Sequence, residues 1–196
     1  MTRTIYKEES RPHESAKKHI TGLAIYTDDM VEPTGLLHAA IGFSSKARAN
    51  IKKINLDEVL KSEGVVDVVT HHDIPENGRN DAGTVYPGDP ILASRNVQYV
   101  GQIIFAVCAK TPELARKAVL KAKISYKRLK PVVTIKEALK KKSFVLKGQT
   151  VSRGDPLRKT DSKLNHLKGE MSTASQEHCA LEGQISVAIP QRMENF

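Results

Sequence analysis

The chain has 196 residues, room for one well-packed core and a smaller second lobe but not for a large enzyme domain together with cofactor domains. A hydrophobic share of 39% and a charged share of 27% exclude wholesale disorder and collagen-like repeats. The net charge of +9 raises a nucleic-acid interface, but aromatics are 5%, Trp is absent and no recognition helix or stacking platform is evident, so a solvated basic face is the better account.

No apolar run approaches the roughly 18 residues of a membrane span, and Met1 to Glu14 is polar without the apolar core of a signal peptide. A cytoplasmic location is expected. Cys108 and Cys179 are the only cysteines, which speaks against a disulfide framework and against a Cys-rich zinc or iron-sulfur site.

In chain order, Leu23 to Tyr26, Leu36 to Phe43 and Ala47 to Ile54 read as extended segments, with turn formers at Glu32-Pro33-Thr34-Gly35. Asn55 is placed to cap a helix over Leu56 to Ser62, with Glu58 completing a capping box and Gly64 turning left-handed after its end. Val65 to Thr70 is β-branched and predicts a buried strand. His71-His72-Asp73-Ile74-Pro75 then opens a long loop to Pro90, of the kind that faces a ligand or partner.

Val97 to Val100 and Gln102 to Ala109 resume regular structure, the second as the central strand because Ile103 to Val107 is continuously apolar and too short for most helices. Thr111-Pro112-Glu113 starts a helix with a capping hydroxyl, a first-turn proline and an acid at the positive dipole end. Its apolar face is Leu114, Ala115, Ala118, Val119 and Ala122, leaving Arg116, Lys117 and Lys121 to solvent. Lys123 to Tyr126 returns as a strand, and Thr134 to Glu137 caps a short helix through Lys141. Further on, Leu167 to Thr173 and Gln184 to Ile189 read as strands flanking Gln176 to Gly183, and Val151 to Asp155 ends in a turn. Ser143 to Phe196 has too few apolar residues to close its own core.

Of the reactive side chains, His71, His72 and Asp73 are expected to diverge as neighbours at a strand end and so to form a polar turn rather than a metal site. His13 and His19 lack a two-ligand helical spacing. Cys108 reads as a buried thiol of the core, and Cys179 beside His178 is not by adjacency a nucleophile pair. These residues alone describe an α+β domain of open activity.

Four ordered stretches carry more. They are His13-Glu14-Ser15-Ala16 through His19-Ile20-Thr21-Gly22 and Tyr26-Thr27-Asp28-Asp29 to Gly35-Leu36-Leu37-His38-Ala39-Ala40; then Gly64 to Val69 with Asp73-Ile74-Pro75. Next come Asp89-Pro90-Ile91-Leu92-Ala93 with Val97-Gln98-Tyr99-Val100-Gly101-Gln102 and the stretch Ala109 to Tyr126; last, Arg153-Gly154-Asp155 with Gln176-Glu177-His178 and Leu181-Glu182-Gly183-Gln184. Together they resemble the molybdenum-cofactor subunit of xanthine dehydrogenases and aldehyde oxidases, from about His13 to Pro190.

The resemblance implies a polar tail over 1–14, an α/β-hammerhead domain over 15–130, and over 131–196 the start of the first molybdenum-cofactor-binding domain, cut short. It implies hydroxylation of a purine or aldehyde carbon with water as the oxygen source at a molybdenum-pterin cofactor. A glutamate serves as base, and electrons leave through iron-sulfur clusters and FAD on other domains or subunits. Gln176 matches the family's glutamine that hydrogen-bonds an apical ligand of molybdenum; the catalytic glutamate has no counterpart here, so the chain alone is expected to be inactive and to retain no cofactor. Two glycines normally precede that glutamine and two aromatics follow the histidine, where this chain has Ala174-Ser175 and Cys179-Ala180. The implied partners are the rest of the molybdenum subunit and the iron-sulfur and FAD subunits. The alternative from the residues themselves is a non-catalytic module that binds an acidic partner through the basic surface around Lys117 to Lys142.

Overall fold

A computed structural model describes residues 11–154, 167 and 169–190. It divides into two units, Pro33–Asp155 and a second made of Met1–Glu32 with Pro156–Phe196. Residues 1–10 of the expected tail, and Asp155 of the Arg153-Gly154-Asp155 turn, lie outside the described residues.

The larger unit contains two antiparallel sheets of three strands. Strands β1 (His38–Phe43), β2 (Ala49–Asn55), β3 (Val65–Thr70), β4 (Asn96–Val97), β5 (Ile103–Ala109) and β6 (Lys123–Arg128) arrange in the orders β1-β5-β3 and β4-β2-β6. As the apolar run predicts, β5 is central, pairing β1 from His38 opposite Ala109 to Phe43 opposite Ile103 and β3 from Val65 opposite Ala109 to Thr70 opposite Phe105. Ile104, Phe105, Val107 and Ala109 are buried along it, and the first two large side chains alone contribute roughly 1.5–3 kcal/mol each in burial. Ala49 and Val97 from the second sheet join the same core.

Short helices close this unit. α1 (Ala16–Thr21) belongs to the smaller unit; α2 (Asp57–Leu60), α3 (Pro112–Val119) and α4 (Ile135–Lys140) belong to the larger. In α3 the expected cap forms, Leu114 N–H donating to Thr111 Oγ1 at 3.3 Å, and Ala115 and Ala118 are buried where the helix packs on β1 and β5. Small residues on that face allow the helix backbone to approach the sheet closely. Thr134 Oγ1 likewise accepts from Glu137 N–H at 3.2 Å and caps α4. α2 is one turn shorter than expected: Asn55 Oδ1 accepts from Asp57 N–H at 3.2 Å, but Leu56 takes the cap position and no capping box with Glu58 forms. Gly64 adopts the left-handed conformation foreseen for it (φ +70°).

Several extended segments do not form. Leu23 to Tyr26 is irregular and leads into a single 3₁₀ turn at Thr27–Asp29, because no neighbouring strand offers its backbone a ladder. Val97 to Val100 is a strand only at its first residue, since Gly101 turns left-handed (φ +89°) to bring Gln102 back under Ser44. Within the described part of Leu167 to Thr173, and in Gln184 to Ile189, there is no strand, and residues 169–190 are exposed throughout. Too few apolar side chains lie here to hold a strand without a partner sheet.

Gly42 on β1 sits directly against Phe105 on β5: a Cβ there would overlap the ring. Gly42→Ala is therefore expected to destabilise the chain by about 1–3 kcal/mol through overpacking, read as a lower urea midpoint, and Phe105→Leu in the same chain is expected to recover part of the loss.

Candidate functional site

The smaller unit carries the residue singled out for cofactor contact. Gln176, Glu177 and His178 lie exposed on an irregular segment, and Cys179 after them takes a positive φ of 51°, a conformation uncommon outside glycine. The chain then folds back at Gly183, where Ile185 N–H reaches Gly183 O at 3.0 Å. Glu182 Oε1 accepts from Thr27 N–H at 3.3 Å and from Thr27 Oγ1 at 3.4 Å, across 155 residues of sequence. Around it, Tyr26 N–H donates to Asp29 Oδ2 at 2.9 Å and Tyr26 OH lies 3.0 Å from His19 Nδ1. Two stretches that look unrelated on the linear chain, Tyr26 to Asp29 and Leu181 to Gln184, thus meet through a side chain, while Gln176 itself is brought to no other candidate residue.

Its carboxamide offers a neutral hydrogen-bond donor and acceptor. That suits contact with an apical ligand of a metal centre, but not ligation. Among the described residues no group of three or more His, Cys, Asp or Glu is placed to hold a metal ion.

In the larger unit, His71 and His72 do not diverge as neighbours on a strand would. Residues His71–Asp73 wind into a 3₁₀ turn, and the two imidazoles stand 3.8 Å apart between centroids. Thr70 caps that turn: its N–H and Oγ1 donate to Asp73 Oδ2 at 2.7 and 2.8 Å. Burial, then the neighbouring His72, lowers the pKa of His71, while the bonds from Thr70 keep Asp73 ionised to lower pH than usual. The polar-turn expectation stands, and the turn brings the two rings close at a tilt of 39°. Cys108 is partly buried on β5 with its thiol pKa pushed up by burial and then by Asp67, as suits an inert packing residue; Cys179 is exposed.

Two organising residues escaped the sequence. Gln102 is buried and its Oε1 accepts from Gln98 N–H at 2.7 Å, while its backbone carbonyl accepts from Ser44 N–H at 2.8 Å. In the long loop, Asp81 accepts from the amides of Gly83 (2.9 Å), Gly88 (2.9 Å) and Asp89 (3.1 Å), and Asn80 clasps Leu92 through both its amide atoms. These amide bonds hold the Asp81 carboxyl at a pKa of about 2. An Asn-Asp pair amid glycines was the available signal.

No helix among the described residues is long and apolar enough to cross a membrane. Residues 21–130 match the family model described as aldehyde oxidase and xanthine dehydrogenase, a/b hammerhead domain. The chain is 36% identical over 187 residues to aldehyde oxidase 3 of Rattus norvegicus, covering 93% of this chain and 14% of that protein. It is 35% identical over 178 residues to the xanthine dehydrogenase/oxidase of Gallus gallus, covering 91% of this chain and 13% of that one. The aldehyde oxidoreductase structure from Desulfovibrio desulfuricans superposes with a TM-score of 0.57 at 29% identity, over 65% of this chain and 15% of that one. The two three-stranded sheets with short helices are thus an α/β-hammerhead arrangement, and the chain spans about one seventh of the length of these curated relatives.

Because the unfolded Asp81 carboxyl titrates near 3.8 and the folded one near 2, its contribution to stability is complete above the first value and lost as pH falls through the second. Asp81→Ala is expected to release the loop at neutral pH, seen as lost amide-exchange protection at Gly83, Gly88 and Asp89 with β5 unchanged.

Proposed function

The chain belongs to the aldehyde oxidase and xanthine dehydrogenase family through its a/b hammerhead domain, and on that premise we propose that it is the N-terminal part of a molybdenum hydroxylase subunit, acting on a purine or aldehyde carbon with water as the oxygen source. The observation that carries this reading beyond the hammerhead itself is the Glu182–Thr27 contact. It ties the segment bearing Gln176 to a stretch at the domain's beginning, as expected if both belong to one assembly. Residues 15–130 act as the bracing domain and residues 131–196 begin the cofactor-binding region.

Gln176 would hold the molybdenum-pterin group through a hydrogen bond from its side-chain amide. When bound, the molybdenum-pterin group supplies the oxidising chemistry; this chain's part is to orient one side of it. Ala174 and Ser175 stand where the family has glycines, so their Cβ atoms would hinder a close approach of this backbone to the group. Iron-sulfur clusters and FAD reside on other domains or subunits. The two free cysteines suit a reducing, cytoplasmic setting.

The test is metal and pterin analysis of the purified chain, alone and joined to the remaining molybdenum-binding region of a family member. No molybdenum is expected in the first and stoichiometric molybdenum in the second. In the joined protein Gln176→Ala is expected to cost about 10- to 100-fold in cofactor affinity or turnover and to shift the molybdenum spectroscopic signature. Stoichiometric metal in the chain alone would contradict the need for further domains, and none in either form would contradict the enzyme reading.

A further inference from the structure

Strand β2 has a paired neighbour along its length on one side only. β6 follows it from Ala49 opposite Arg128 to Asn55 opposite Lys123, whereas β4 pairs only Ala49 and Asn50. Ile51 N–H still reaches Arg95 O at 2.9 Å. Beyond it, no described strand pairs with residues 52–55 on that side. Unpaired strand backbone is a template for another strand.

The same side holds a cleft of about 350 Å³, in the size range of ligand pockets. Ile51, Ile54 and Leu56, partly buried against the core, supply its apolar lining, and Lys52, Lys53, His71 and His72 supply its polar lining. Lys52 and Lys53 are exposed and form no ion pair among the described residues. His71 Nδ1 is buried without a hydrogen-bond partner among the described residues, an unmet polar atom of the kind that marks a missing neighbour. The β6 register shifts between Ile51 and Lys53, leaving Lys52 as a bulge, and both lysines line the cleft.

The geometry points to a strand-addition site: an extended segment of a partner protein, with carboxylates alternating with apolar side chains, pairs with residues 52–55 of β2 in this cleft. Main-chain bonds to the open edge supply affinity, the apolar wall takes every second side chain, and Lys52 and Lys53 select for acid. Nucleic acid lacks both the main-chain donors and the alternation. The inference concerns the surface of Pro33–Asp155 and does not rest on the cofactor reading.

The probe is a fluorescein-labelled octapeptide of alternating Glu and Val, titrated into the full chain. Saturable binding is expected, weakened at least 10-fold by Lys52→Glu with Lys53→Glu and by replacing the peptide's valines with proline, which cannot pair. Amide-exchange protection is expected to rise at residues 52–55 on peptide addition. Lys123→Glu with Lys127→Glu, a charge reversal on the far edge strand, is expected to leave binding within about 2-fold. Absence of saturable binding overturns the proposal. So does equal binding of the proline peptide, protection elsewhere but not at 52–55, a larger loss from the Lys123/Lys127 variant, or displacement of the peptide by single-stranded DNA at equal concentration.

Discussion

The larger unit depends on β5. It is the only strand of its sheet with two neighbours, so its backbone groups are satisfied on both sides, and its alternate side chains fill the core that α3 and the second sheet also enter. Phe105 is tight against Gly42: the ring occupies the volume where β1 would otherwise carry a side chain. Glycine at that position weakens the strand entropically, and the loss is offset by a large aromatic buried to 1% exposure. Once β5 is placed, β1 and β3 follow by register, and α3 follows from the small face that fits over them.

That hierarchy explains what could be read from the sequence. Elements with a local chemical signature were legible: the apolar run of β5, the Thr111-Pro112-Glu113 start of α3, the Thr134 cap and the left-handed Gly64. Elements that need a distant partner were not. Val97 to Val100 and Gln184 to Ile189 have the alternation of strands, but a ladder requires a neighbour that composition cannot specify. The split into two sheets was equally hidden, because the bulge of β2 and the two-residue length of β4 are set by packing at Ala49 and Val97 rather than by any turn residue.

The candidate sites follow the same rule. Gln176 was legible only through resemblance, since nothing about an amide in an irregular segment distinguishes it chemically. His71 and His72 were identified as residues but misjudged in direction, because a 3₁₀ turn places successive side chains closer than a strand does. Asp81 was overlooked although three backbone amides converge on its carboxylate. Its partners are glycines and an acid within eight residues, a nest that only backbone coordinates reveal.

The two units differ in how far their side chains are buried. In Pro33–Asp155 a core of buried apolar side chains forms around β5, although Leu120, Val133 and Ile135 stay exposed, and the β2 edge is left open beside positive charge. In the described part of the smaller unit no residue is buried: Leu181, Ile185, Val187 and Ile189 are exposed, and Glu182 is bonded to Thr27. The larger unit thus has a core that fixes its strands, whereas the described segment around Gln176 is held through the polar Glu182–Thr27 contact, which constrains Glu182 and leaves Gln176, six residues before it, without a packed neighbourhood.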